Sequence, residues 1–160
     1  MNKCITLLLG ITILTSCAHV VSEESRSATD TSVDLSLLFK NPLDYKGAFV
    51  VLGGNVVRAV NEQDGTYVEV VEKPLDYRGR PKDRDLSLGR FLIFHEGYLE
   101  TAVFSKAKNV TVAGEVMGSM VSQLGEMDYP YLLIKSKEIH ALKPGEGFPI
   151  SIGIGVLQSF

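Results

Sequence analysis

The sequence predicts an all-β domain with one or two short helices, organised as a small five-stranded OB-like Greek-key barrel. Three observations carry that prediction. Short β-branched and aromatic runs recur between turn residues. The first of them, 48–59 (AFVVLGGNVVRA), is long and carries Gly53-Gly54 in its middle, where a barrel strand that serves two sheets needs a bulge or a sharp bend. A possible short helix falls between the third and fourth runs, an order that fits a five-stranded Greek key.

The elements follow in order. At 33–39 (VDLSLLF) the chain supports a turn or two of helix, with Asp34 as its cap and Leu35, Leu38 and Phe39 on one face. Asn41-Pro42 ends it, because proline disfavours a helical residue before it. The first strand then gives way to a polar hairpin loop ending in Asp64-Gly65. Along 66–72 (TYVEVVE), Tyr67, Glu69 and Val71 alternate with Thr66, Val68, Val70 and Glu72, the pattern of a second strand with one face buried. A long loop, 73–88, interleaves Arg78, Arg80, Lys82 and Arg84 with Asp76, Asp83 and Asp85; it reads as a solvated, self-paired loop or as a contact surface for a partner. The third strand is 89–95. Residues 101–108 are expected as a short helix across one end, 109–117 as the fourth strand, 118–128 as a mixed loop, and 129–142 as a fifth strand that changes face near Lys135-Ser136. In the tail, Ile150, Ile152, Ile154 and Val156 recur every second residue between Ser and Gly. That stripe suits an added edge strand or a segment docked on another chain.

The N-terminus sets the address. One positive charge, Lys3, precedes an apolar run of 11 residues, 4–14, long enough for an export signal and too short for a membrane-spanning helix, which needs about 20. Leu14-Thr15-Ser16-Cys17 closes the run and is similar to the lipobox of bacterial lipoproteins. That resemblance implies cleavage after Ser16, a diacylglycerol on the Cys17 sulfur and an acyl group on its new amine. Several acyl chains hold a protein on a membrane where one does not. Ala18, in place of aspartate, implies sorting to the outer membrane. Residues 18–32, rich in Ser, Thr and charge, read as a flexible tether between Cys17 and the domain at 33–145, with 146–160 as a separate Gly/Ile-rich tail.

Composition narrows the function classes. Without residues 1–16, 15 basic and 19 acidic side chains remain, an acidic balance that speaks against nucleic acid and against a polybasic membrane patch. Of the two cysteines, Cys4 leaves with the signal and Cys17 becomes a thioether. The folded part therefore has no thiol for a disulfide, a metal or a nucleophile. The three histidines, His19, His95 and His140, have no metal-ligand spacing, and no nucleophile-elbow motif is present. Neither a catalytic residue nor a bound cofactor is expected, apart from the covalent lipid on Cys17.

Several stretches together resemble the Slp family of starvation-inducible outer-membrane lipoproteins. They are Pro42-Leu43-Asp44-Tyr45-Lys46-Gly47, Val51-Leu52-Gly53-Gly54-Asn55-Val56, Val70-Val71-Glu72-Lys73-Pro74-Leu75, Gly79-Arg80-Pro81, Ser87-Leu88-Gly89-Arg90-Phe91, Val110-Thr111-Val112-Ala113-Gly114-Glu115-Val116, Gly125-Glu126 and Tyr129-Pro130-Tyr131. Their order and spacing carry the likeness, which ends near Leu142. It implies a lipid-anchored, non-catalytic protein of the outer membrane, linked with stress or stationary phase, and it supplies no catalytic residues. The expected role is an envelope structural or interaction module with a protein or peptidoglycan partner. The alternative is a carrier or sensor for a small ligand or lipid headgroup, with Tyr67, Tyr77, Arg80, Arg90 and Tyr98 as its lining. The oligomeric state is open.

Overall fold

The structure, a computed structural model, describes residues 18–143 and the backbone of 149–150. The expected export signal, Cys17 and most of the tail lie outside the described residues.

Five strands close on themselves. They are β1 (Phe49–Asn61), β2 (Thr66–Glu72), β3 (Arg90–His95), β4 (Asn109–Leu124) and β5 (Met127–Leu142), and a two-residue β6 (Pro149–Ile150) pairs with the end of β5. The sheet runs β3-β2-β1-β4-β5, and a parallel β3–β5 pairing shuts it. This is the expected all-β, five-stranded arrangement. Two short helices, α1 (Glu23–Ala28) and α2 (Leu35–Lys40), precede it, and Pro42–Tyr45 forms a 3-10 turn. Asp34 caps α2 as the sequence suggests, its Oδ1 accepting from the N–H groups of Ser36 and Leu37.

Strand β1 is shared between two neighbours. Its first half pairs with β4 and its second half with β2, and the two ladders overlap at Gly54-Asn55. A Cβ on Gly54 would stand 1.9 Å from the Val71 carbonyl oxygen, so only glycine permits the strand to bend that closely onto β2. The extra residue itself lies later, at Val57, where the β1–β2 register slips. The interior is filled by the even residues of β2 and their partners: Val68, Val70, Phe91, Ile93, Val110, Val112, Leu132 and Ile134 are all buried. Leu38 and Phe39 of α2 reach this core, Phe39 meeting the edge of Phe91 at 6.2 Å between centroids.

Three expectations are corrected. Residues 101–108 form turns, not a helix. Phe104 is buried, and the Ala107 N–H and Lys108 carbonyl bond both backbone groups of Val56, which leaves no helical ladder. Residues 118–124 continue β4, and only Gly125-Glu126 turn. Glycine and serine on one face of this exposed hairpin hide its two-residue period. The face change in β5 is present and falls at Lys137, the residue left over between the Ala113–Glu138 and Gly114–Ser136 pairs. Third, residues 18–32 are no free tether. Val20 and Val21 are buried against Ala113 and Leu142, and α1 docks beside them. A polar segment orders here because two adjacent valines and a buried Ser25 find partners on the sheet.

Of the tail, Pro149–Ile150 pairs antiparallel with Ala141 and Leu142, as an added edge strand would. The rest of its stripe lies outside the described residues.

Candidate functional site

Three features on the outside of the sheet hold the polar chemistry. The first is the docked N-terminus. The Val20 N–H donates to the Arg78 carbonyl at 2.9 Å, joining the segment to the 73–88 loop. Ser22 caps α1, and the Ser22 and Ser25 hydroxyls both donate to Glu138 on β5, while the Ser22 N–H reaches its other oxygen at 3.0 Å. Burial raises the pKa of the Glu138 carboxyl, and the two serines and His140 outweigh it, leaving the group at about 2. A further ion pair, Lys137 to Glu24 at 2.5 Å, lies in solvent.

The second feature is the 73–88 loop itself. Asp76 organises the loop through its carboxylate. It accepts the backbone N–H groups of Arg78 and Arg80, at 2.8 and 2.9 Å, and a bridge between Leu75 and Pro81 closes a tight finger. The finger lies on the sheet, where the buried Thr111 hydroxyl donates to the Gly79 carbonyl at 2.7 Å. Tyr77 projects from its tip, 73% exposed, with the Arg78 guanidinium 5.2 Å from its ring centroid. Between the finger, β1 and the start of α2 opens a cleft of about 550 Å3. Leu35, Val51, Leu52, Leu75, Leu86 and Leu88 form its apolar wall, and Glu72 and Lys73 stand in the same wall. Glu72 is 4% exposed and accepts the Leu88 N–H at 2.6 Å. Burial pushes its carboxyl above the usual range, against the pull of that hydrogen bond and of Lys73.

The third feature is a closed ionic cluster on the outer face of β2. Glu69 takes Arg58 Nε at 2.8 Å, Arg90 Nη1 at 2.7 Å and the Tyr131 hydroxyl at 3.0 Å. Burial alone would raise this carboxyl; the three donors hold it below its ordinary value. Met120 and Ser122 of the β4–β5 hairpin line a small hollow with Arg58, Tyr67 and Glu69, so the hairpin borders this cluster while Arg58 still reaches solvent.

The five residues named as a ligand lining do not converge. Arg90 belongs to the Glu69 cluster, and Tyr67 stands next to it, bonded to Asp64 at 2.8 Å and packed on Phe94. Tyr77 and Arg80 sit on the finger, and Tyr98 is exposed on the loop after β3. Sequence reasoning missed Glu69, Glu72 and Glu138. A glutamate inside an apolar strand was the available signal for Glu69, since such a residue needs donors when buried. His95 meets the Ser136 hydroxyl at 2.9 Å, and His140 meets Glu138 at 3.2 Å. Among the described residues no three His, Cys, Asp or Glu side chains gather as for a metal, and no helix is long and apolar enough to cross a membrane.

Comparison with known proteins places the chain. The uncharacterized lipoprotein YeaY of Escherichia coli K12 is 28% identical over 123 residues, which are 77% of this chain and 63% of YeaY. The chain thus spans less than two thirds of that relative's length. The outer membrane protein Slp of the same organism is 22% identical over 135 residues, 83% of this chain and 71% of Slp. A small single-stranded DNA-binding protein from Streptomyces coelicolor overlaps 59% of this chain and 94% of its own at 15% identity, with a TM-score of 0.36 that carries no argument. Residues 14–146 match the family described as the outer membrane lipoprotein Slp family, and the chain belongs to that family of outer-membrane lipoproteins.

Proposed function

We propose that this lipoprotein is a non-catalytic envelope module, lipidated on Cys17 and seated directly on the membrane by its docked N-terminus. The observation that carries the reading is the Val20–Arg78 backbone bond beside the buried Val20-Val21 pair. Three residues of extended chain reach about 10 Å, so a lipid on Cys17 is tied by a short link to Val20, which is bonded to the finger. The finger then faces the headgroups. Tyr77 at its tip, exposed to solvent, suits the interface between apolar and polar layers. The β1–β2 hairpin, at the other end of β2, points away and is free to meet an envelope protein or peptidoglycan. The link with stress or stationary phase belongs to this reading and is checked by protein abundance in growing and starved cells.

Seating is tested with the lipidated protein in vesicles. No other thiol exists in the mature chain, so single cysteines label cleanly. A fluorophore on Tyr77→Cys is expected to be quenched by a headgroup-borne quencher, and one on Glu62→Cys is not. Equal quenching at both positions overturns the seating. Mass spectrometry of the N-terminal peptide, expected to carry acyl groups on Cys17, decides the lipidation.

A further inference from the structure

The apolar cleft takes no part in that seating, yet it opens beside it. Its wall residues Val51 and Leu75 also line the shallow hollow formed by His19, Val21, Tyr77 and Arg78, so the cleft and the anchor site share a partition. A Cβ on Gly53 would lie 2.7 Å from Leu75 Cδ2 and 3.2 Å from Pro81, so the missing side chain is what allows the finger to close down as one wall.

We propose that this cleft takes one acyl chain of a phospholipid from the membrane that holds Cys17; the inference rests on the seating above. Size fits, since about 550 Å3 lies within the range of small-ligand sites. Chemistry fits as well. The lining is aliphatic, with no aromatic ring for a flat ligand to stack on. Leu86 and Leu88, 62% and 42% exposed, leave methyl groups in water that a methylene chain would cover. Only Glu72, Lys73 and Ser87 interrupt the apolar wall with polar side chains. Lys73 places an ammonium where a phosphate would lie, and it is held by the Arg84 carbonyl at 2.5 Å. A lipid from the bilayer is favoured over the chains on Cys17 because withdrawing one of those would weaken the anchor, which depends on more than one chain. The short link from Val20 to Cys17 keeps the cleft at a high effective concentration of such lipid.

The test uses the lipidated protein in vesicles of phosphatidylethanolamine and phosphatidylglycerol that contain a trace of phosphatidylcholine with a diazirine in one acyl chain. Irradiation followed by peptide mass spectrometry is expected to place adducts on Leu35, Leu75, Leu86 and Leu88. Leu86→Glu and, on the opposite wall, Leu35→Glu are each expected to lower that labelling at least five-fold. Both replace partly exposed side chains, and circular dichroism checks that they fold. Adducts on Tyr77 and Arg78 with none in the cleft overturn the acyl site and leave the seating intact. Loss of both sets overturns both. Cleft labelling that appears only in the unlipidated chain from Ala18 makes the Cys17 lipid the occupant, and labelling that appears only after deletion of 151–160 makes the tail the occupant; either result overturns the proposal.

Discussion

Glu69 and Glu72 stand three residues apart on β2, both almost fully buried, and their environments push them in opposite directions. Glu69 points to the outer face, where three donors from β1, β3 and β5 surround it and hold its charge. Glu72 points to the side of Val68 and Val70, at the rim of an aliphatic cleft, with a single backbone N–H on its carboxylate and a raised pKa. The first arrangement welds four strands together; the second leaves a carboxyl under-supplied with donors beside open space. Ionic satisfaction, more than burial, separates a group that builds the fold from one available to a ligand.

The largest expected effect comes from breaking the satisfied member. Glu69→Leu would leave the Tyr131 hydroxyl buried without an acceptor and two guanidiniums without a counter-charge, one of them, on Arg90, two-thirds buried. A loss of about 3 kcal/mol is expected in urea denaturation, below the upper range for broken buried pairs because Arg58 reaches solvent. An unchanged midpoint would show that the cluster is a surface network only.

A smaller and more local loss is expected at Glu138. Glu138→Ala removes the acceptor for Ser22 and Ser25, at about 2 kcal/mol for hydrogen bonds to a charged group. The loss falls on docking of α1 rather than on the sheet. Trypsin cleavage after Arg26 should accelerate while the global unfolding midpoint moves little. The pH dependence has a defined sign. A carboxyl held at about 2 contributes its full share above the ordinary range near 4.5, and that share is lost as pH falls from there toward 2. Hydrogen exchange of residues 20–29 should therefore lose protection in that window, and in Glu138→Ala it should be low at every pH. Release of the segment would also equalise the quenching of labels at positions 77 and 62, tying the docking to the seating.

What was readable in the sequence follows from distance along the chain. The strands β1, β2 and β3, the Asp34 cap and the face change in β5 are local patterns, set by residues within a few positions of one another. The glycine pair was legible as a bend, although the bulge fell at Val57, because strand register depends on the partner. Glu69 meets Arg58 across 11 positions, Arg90 across 21 and Tyr131 across 62, and Glu138 meets Ser22 across 116. No periodicity reports such pairings. The docking of 18–32 was invisible for the same reason: its composition is that of a linker, and what orders it is a glutamate far away on β5. Tyr67 and Arg90, expected in a ligand lining, are an aromatic on β2 and a base on β3. The structure spends Arg90 on Glu69, a use that composition does not distinguish from binding.

The smallest expected effect is at Glu72, and it is the most discriminating. Glu72→Gln keeps an acceptor for the Leu88 N–H and removes a charge that burial disfavours, so stability at neutral pH should change by no more than about 1 kcal/mol, in the stabilising direction. A group whose folded pKa is raised contributes its stability fully below the unfolded value of 4.5 and loses it as pH rises through the folded value. The wild-type protein should therefore lose this contribution between 4.5 and that folded value, and Glu72→Gln should remove that part of the slope while leaving the acid limb set by Glu69 and Glu138. A Glu72→Gln protein that is as unstable as Glu69→Leu would mean that donors hold the Glu72 carboxylate more strongly than burial disfavours it. In that case the cleft carries a fixed negative charge beside Lys73, and an anionic headgroup would be repelled from it rather than accepted.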